Sequence, residues 1–464
     1  MSGNETIVAI STPPGRGGIG IVRLSGPDAR PLAARVLALN GRDLPHGRPR
    51  LAKVVAGEDA RAIDEAMVTA FHAPRSYTGE DVVEIATHGS PVVLDTVVRA
   101  VLEAGRRGEF AVRLADPGEF TQRAFASGRL DLTQAEAVHD LIAARTVDQV
   151  RQAAGQLGGA LSRRLAGPKD RLLHLIALLE AGMDFASGEL DDVDVVPPAY
   201  IAEEIALSLG ELGKLAASFA HGSLLRQGAS LAFVGRPNAG KSSLFNCLLE
   251  RERAIVTPIA GTTRDTVEES WAIHGVPLRL VDTAGLRDLS EDGAPADAVE
   301  ALGIARSREA LADADLVLLV HDASLPWTAS ELALAKELEH RPHLIVSNKS
   351  DVAMQDAAGP RDAVATSAVT GAGIVELRER ILRELGAGTA PGDAAVLTTQ
   401  RQFDAVQRAL DALRQAAEAN HAALPHEVLL VDLHHARAAV DSLTGQTTPD
   451  DILARIFSAF CIGK

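Results

Sequence analysis

Residues 235 to 242 read GRPNAGKS, a run built to hold a phosphate chain. Gly235 and Gly240 permit a tight loop after a strand, with backbone N–H groups close to the ligand. Lys241 reaches the β and γ phosphates, and Ser242 offers a hydroxyl to Mg²⁺ at the start of the following helix. A glycine turn between a strand and a helix would not need Lys and Ser in this register. Three further stretches follow in order: GTTRD from Gly261, DTAG from Asp282 and NKSD from Asn348. Each has a different job on one ligand. Thr263 supplies a second hydroxyl to the metal and senses the γ phosphate; Asp282 holds the metal through water, and the Gly285 N–H meets the γ phosphate. The contact surface is completed by Asn238 and Ala239 in the first run and Ser243 just after it, by Thr257, Pro258, Ile259 and Ala260 before the second with Gly261 and Thr262 inside it, and by Thr283 and Ala284 in the third.

Base choice falls to Asn348, Lys349 and Asp351. A carboxylate accepts from both N1–H and the exocyclic amine of guanine, whereas adenine would leave it desolvated and unpaired, so GTP is favoured over ATP. Ser367 and Ala368, in ATSAVTGAG, sit where a backbone N–H meets the guanine carbonyl. In Ras-like GTPases a glutamine after DTAG orients the attacking water; here it is Leu286, which neither donates nor accepts a hydrogen bond. Another group must stabilise the reaction. Asn238 is a clue, because a carboxamide beside the phosphates helps to ligate a monovalent cation such as K⁺. The plainer reading is an asparagine stabilising its own turn.

Elements that position these residues are visible in the hydrophobic pattern. Short apolar runs at 229–234, 278–281, 316–320 and 343–346 alternate with helix-length segments, as a doubly wound sheet requires. Before them, runs at 6–10, 19–24 and 81–86 around Gly- and Pro-rich loops indicate an α/β or α+β domain. Ala135, Val138, His139 and Ile142, then Leu172, Leu175, Ile176 and Leu179, repeat at helical spacing and indicate a bundle. A connection rich in Gly, Ala and Pro runs from Gly386, after which helices resume. The simplest architecture is a multidomain α/β chain. An N-terminal α/β domain covers 1–122, and a helical domain in two parts covers 123–227 and 388–464. A Ras-like P-loop GTPase domain covering 228–387 is inserted between those parts.

Bulk properties narrow the class. At 464 residues the chain exceeds one ordinary core. A net charge of −16 rules out a uniformly basic coat but leaves room for one basic face, so nucleic acid stays open. Cys247 and Cys461 are the only cysteines, far apart and without neighbours at metal-ligand spacing, so a disulfide framework is not expected. No apolar stretch reaches membrane-spanning length and none resembles a signal peptide; the expectation is a cytoplasmic protein with no membrane partner. GRGGIG from Gly15 fits a dinucleotide fingerprint in spacing, yet leads into a strand instead of a helix, which excludes an NAD site.

The chain resembles the tRNA-modifying GTPases of the MnmE (TrmE) family along essentially its whole length. The matching segments are TPPGRGGIGIVRLSG at Thr12, TGED at Thr78, PGEFTQRAF at Pro117, LDLTQAEAV at Leu130, the nucleotide motifs and the terminal FCIGK. The resemblance implies a homodimer whose N-terminal α/β domain dimerises and binds a formyl-tetrahydrofolate such as 5-formyl-tetrahydrofolate. It further implies a flavoprotein partner, MnmG (GidA), with which a carboxymethylaminomethyl type of group is built at C5 of the wobble uridine of certain tRNAs, driven by GTP hydrolysis. By the same resemblance Asn238, Thr257, Ile259 and Thr262 surround K⁺, which serves as an arginine finger would. Glu300 is the catalytic glutamate acting through water, and Arg23, Glu84, Arg129 and Lys464 form the folate site. Cys461, after an amphipathic helix with Ile452, Leu453, Ile456 and Phe457 on its apolar side, is either a nucleophile or a small packed side chain; both readings stay open.

There are departures. SEDGAPADA before Glu300 is longer than the family pattern, Val369 stands where a basic residue is expected, and Arg129 where lysine is usual. A ribosome-assembly or other RNA-binding GTPase switch would share the nucleotide motifs, but residues 390–464 lack the GXXG loop of a KH domain. A stand-alone folate enzyme with GTP as effector is the third reading.

Overall fold

The computed structural model describes residues 5–57, 61–186, 196–249, 271–281, 314–352, 360, 362–386 and 395–463. The N-terminal sheet is formed by β1 (Thr6–Ile10), β2 (Gly17–Ser25), β3 (Arg50–Ala56), β4 (Arg61–Phe71), β5 (Val82–Gly89) and β6 (Val112–Leu114), in the order β3-β4-β5-β2-β1-β6. Its pairings are antiparallel except for the parallel β1–β6 pair. The apolar side chains of alternate strand positions, such as Val22 and Leu24, lie under α1 (Ala29–Val36) and α2 (Pro91–Gly108), whose Leu32, Val36, Val97 and Val101 fill the same core.

The helical layer begins with α3 (Glu119–Ala126), α4 (Leu132–Ala143), α5 (Val147–Leu157), α6 (Ala160–Ala186), α7 (Pro198–Ala217) and α8 (Phe219–Gln227). The chain then builds the second sheet from β7 (Ala229–Val234), β8 (Trp271–Ile273), β9 (Val276–Leu280), β10 (Leu316–Asp322), β11 (His343–Asn348) and β12 (Val364–Ala365), in the order β12-β11-β10-β7-β9-β8. All its pairings are parallel save the β8–β9 hairpin. Helices α9 (Lys241–Leu249), α10 (Ala329–Leu338) and α11 (Ile374–Glu384) accompany it. β7 and β10 read as nearly continuous apolar runs because both faces of the sheet are covered.

The chain returns to the bundle as α12 (Gln400–His421), α13 (His426–Thr444) and α14 (Asp450–Ser458). One core joins the segments on either side of the second sheet: Leu165, Leu172, Leu179 and Ile205 pack with Val406, Leu413, Leu433 and Val440. Phe219 stacks on Phe403 with ring centroids 4.5 Å apart. The nucleotide-type sheet is therefore an insertion into a single helical unit.

A largely buried ion pair closes this unit. Arg401 donates to both carboxylate oxygens of Glu136 at 2.7 and 2.9 Å, Gln402 Nε2 donates to the same group, and Arg401 also caps carbonyls of Ser442 and Leu443 at the end of α13. Removing one partner strands the other charge. Arg401→Ala is expected to cost about 3 kcal/mol or more, read as a lower denaturant midpoint; a midpoint equal to wild type would refute this.

Candidate functional site

The phosphate loop starts where β7 ends and stops where α9 begins. Gly240 has φ +87, and a Cβ there would lie 2.3 Å from the Asn348 amide nitrogen, so only glycine fits. Asn238 also adopts a left-handed backbone, φ +62, a conformation that asparagine tolerates better than most side chains. Its residue type thus has a backbone reason independent of any cation. Lys241 Nζ arches back over the loop, donating to the carbonyls of Gly235 at 3.0 Å and Arg236 at 2.8 Å, which fixes an ammonium at the loop's open face. Ser242 stands in the first turn of α9, with Ser243 after it and Ala239 buried behind the loop.

Asn348, at the end of β11, is buried and braces the site from below. Its Nδ2 donates to the Ala239 carbonyl at 3.0 Å, while its Oδ1 accepts from the Ala368 N–H at 3.2 Å. The phosphate loop, the base-side turn and the 366–368 segment are thereby held as one piece. Ser367 is fully buried, and its N–H donates to the Ala372 carbonyl. Lys349 follows with φ +62, and Asp351 lies exposed on the turn beyond, which is pinned by the Ser350 N–H donating to Thr366 O at 3.0 Å.

One residue here escaped the sequence reading. Asp322, the last residue of β10, pairs with Lys349 Nζ at 2.5 Å and accepts from the N–H and hydroxyl of Ser324. Burial would raise its carboxyl, but Lys349 and Ser324 outweigh burial and hold it below the usual carboxylate range. The signal was an aspartate closing the apolar run LVLLVHD, in register with Asn348. Asp322→Asn is expected to release the lysine stem from beside Gly240 and weaken GTP and GDP alike by about tenfold, roughly 1.4 kcal/mol, with maximal turnover unchanged. Because the folded-state pKa is depressed, the pair's contribution is complete above the ordinary aspartate range and lost only as pH falls through the lowered value. Titration of nucleotide affinity by fluorescence checks both statements.

The remaining nucleotide-site residues lie outside the described ones: Thr257, Pro258, Ile259, Ala260, Gly261, Thr262, Thr263, Asp282, Thr283, Ala284, Gly285, Leu286 and Glu300. Among the described residues no three His, Cys, Asp or Glu gather as a metal cage. The donor set present, one hydroxyl beside a phosphate cradle, suits Mg²⁺, which commonly takes few protein ligands plus substrate oxygens. The Asn238 carboxamide oxygen is likewise the kind of donor a hard monovalent cation takes.

A second cluster lies in the N-terminal sheet. β2 and β5 place Arg23 opposite Glu84, and its Nε and Nη2 donate to Glu84 Oε1 at 2.9 and 2.8 Å. The guanidinium lies over the rings of Tyr77 and Phe120 at 5.8 and 5.6 Å. The C-terminal tail is laid against this cluster, since the Gly463 carbonyl accepts from Ser11 Oγ at 3.0 Å and Arg23 Nη1 at 3.5 Å. Lys464 itself lies outside the described residues. Arg129 is exposed in the loop after α3, its Cγ against Gly79 of the TGED stretch. Cys461 is an exposed free thiol whose carbonyl accepts from the Gly118 N–H. On α14, Leu453 and Phe457 are buried as the pattern implies, but Ile452 is exposed because the helix packs on α3 and α4 through its other face. The Arg23–Glu84 pair and the aromatic faces beside it make chemical sense for a folate, with its pterin donors and anionic tail.

A parallel sheet with a glycine-lysine-serine loop at the carboxyl end of β7, and an Asn-Lys-x-Asp turn at that of β11, defines a P-loop GTP hydrolase. Residues 6–129 match the family described as GTP-binding protein TrmE N-terminus, and residues 132–461 match that described as MnmE helical domain. The chain is 50% identical to the tRNA modification GTPase MnmE of Koribacter versatilis over 100% of both chains. It is 44% identical to the tRNA modification GTPase MnmE of Synechococcus sp. over 99% of this chain and 98% of the relative. Among solved structures, the G domain of the T. maritima FeoB iron transporter is 27% identical, covering 34% of this chain and 98% of that one at a TM-score of 0.23. The chain belongs to the MnmE (TrmE) family. No helix among the described residues is long and apolar enough to cross a membrane.

Proposed function

We propose that the protein is a K⁺-stimulated GTPase that acts on tRNA as a homodimer with a flavoprotein partner of the MnmG (GidA) type. It installs a carboxymethylaminomethyl group at C5 of the wobble uridine of certain tRNAs, in the cytoplasm, with a formyl-tetrahydrofolate held at the N-terminal domain. The observation that carries this reading is that one chain holds both a braced phosphate loop and the Arg23–Glu84 cluster with the tail against it. A ribosome-assembly switch has use for the first and none for the second.

The protein's own groups have separate tasks. Lys241 and the loop N–H groups bind and orient the β and γ phosphates, Ser242 and Thr263 hold the metal, and Asp282 positions its water. Mg²⁺ supplies charge neutralisation of the phosphate oxygens when bound. Leu286 leaves water orientation to Glu300, and Asn238, with oxygens from Thr257, Ile259 and Thr262, holds K⁺, which supplies the charge an arginine finger would. Asn348 keeps the loop rigid and Asp351 reads guanine. Arg23, Arg129 and Lys464 bind folate carboxylates and Glu84 its pterin, and the bound folate supplies the one-carbon unit. Cys461 stands at the tail's exposed end as a candidate nucleophile.

The test is a nucleoside digest of tRNA from a deletion strain, complemented with wild type or Arg23→Ala. Loss of the modified wobble uridine in the deletion, restored by wild type and not by Arg23→Ala, is expected. Unchanged wobble uridines in the deletion would sink the proposal and favour the switch.

A further inference from the structure

The start of α5 is bonded to both the inserted unit and the segment that leads into it. Thr146 and Gln149 form a reciprocal capping box, the hydroxyl accepting from the Gln149 N–H and the Gln149 oxygen accepting from the Thr146 N–H. Neither side chain stops there. The Thr146 hydroxyl donates to the Gly275 carbonyl at 2.8 Å, in the turn between β8 and β9. The Gln149 amide donates to the carbonyls of Leu225 and Arg226 at 3.0 Å each, near the end of α8, where helix carbonyls lack intrahelical partners. Arg226 in turn donates to Asp140 on α4 at 2.7 Å. The hairpin and α5 also approach closely: Gly275 has φ +82, and a Cβ there would lie 2.5 Å from the Asp148 Cβ.

The hairpin's place in the chain gives this contact its meaning. β8 begins after the segment bearing Thr263, and β9 ends at Leu280, just before Asp282. Both ends of one short, hydrogen-bonded ribbon therefore run into the two segments assigned to the γ phosphate; its strands share an apolar core with Leu224 and Leu225 of α8, and its turn is what touches α5. Any shift of those segments that moves the turn strains or relieves its contact with α5, one side-chain hydrogen bond and a close backbone approach, small enough to open and close.

We propose that Thr146 and Gln149 are positioning residues through which the nucleotide state of the inserted domain is passed, by way of the β8–β9 turn, to the helical domain. This rests on the reading that GTP hydrolysis drives modification. The contact has two arrangements, docked and released, and the state of the γ phosphate biases them.

Hydrogen exchange on the full-length protein tests this directly. Amides 147–150 are followed with GDP and with GDP, aluminium fluoride and K⁺. Their exchange rates are expected to differ between the two states by about fivefold or more, the lower end of ordinary allosteric coupling. Thr146→Val removes both the latch and the helix cap, so Gly275→Ala is made alongside it, displacing the turn while leaving the cap intact, and Thr146→Ser serves as rescue. Both disruptive variants are expected to lose the nucleotide-dependent difference and several-fold of tRNA modification rate while basal GTP turnover is kept, and Thr146→Ser to restore both. Identical exchange of these amides in the two states of the wild type, or wild-type modification by both disruptive variants, would overturn the proposal. A wild-type protein that modifies no tRNA would instead sink the proposed function, leaving the exchange experiment to decide the latch.

Discussion

GTP turnover by the wild-type protein is expected to rise at least about tenfold, roughly 1.4 kcal/mol of transition-state stabilisation, when NaCl is replaced by KCl, and Asn238→Gly is expected to abolish that rise. Glycine is the informative substitution. Asn238 holds φ +62, so alanine would add backbone strain to the loss of the carboxamide, whereas glycine adopts that conformation freely. Nucleotide affinity of Asn238→Gly should stay within a few-fold of wild type, since the Lys241 arch and the Asn348 brace do not involve the Asn238 side chain. The ceiling on the effect is set by what a charge at this place is worth, about 10³- to 10⁵-fold for an arginine finger. Equal rates in the two salts would remove the cation from the mechanism and leave Leu286 without a substitute. Equal K⁺ stimulation of Asn238→Gly and wild type would return Asn238 to a purely conformational role.

The readability of this chain differs from place to place, for physical reasons. Phosphate binding needs fixed residue types at fixed spacing, so GRPNAGKS could be read directly, and parallel strands covered on both faces show as apolar runs such as LVLLV. The insertion was legible as helices before and after the second sheet, although the shared core of Leu172 and Leu413 is a long-range fact that no local pattern states. Asp322 was missed because an ion pair between the ends of two parallel strands depends on register, which periodicity does not carry. Ile452 was assigned to an apolar face that the packing of α14 leaves exposed: on a short helix, a shift of one position in the buried stripe suffices. The Thr146–Gln149 box reads from sequence as an ordinary helix start, and only the fold shows that its spare hydrogen-bonding groups reach the β8–β9 turn and α8.

Asp351→Asn is expected to lower GTP affinity by about 10⁴-fold and to admit xanthosine triphosphate in its place. The carboxylate takes both N1–H and the exocyclic amine of guanine; an asparagine amide keeps an acceptor for N1–H but turns a donor towards the amine, which repels it. Xanthine carries a carbonyl at that position and accepts the donor. The geometry makes this a clean experiment. Asp351 is exposed, on a turn held by the Ser350 N–H to Thr366 O and the Val352 N–H to Lys349 O, so the substitution leaves the brace at Asn348 and the pair at Asp322 intact. The melting temperature without nucleotide should therefore match wild type, separating lost recognition from lost structure. Competition binding with GTP and xanthosine triphosphate decides the matter: a variant that still prefers guanine would show that base reading lies elsewhere, with the Ala368 N–H, now donating to Asn348 Oδ1, the first alternative to test.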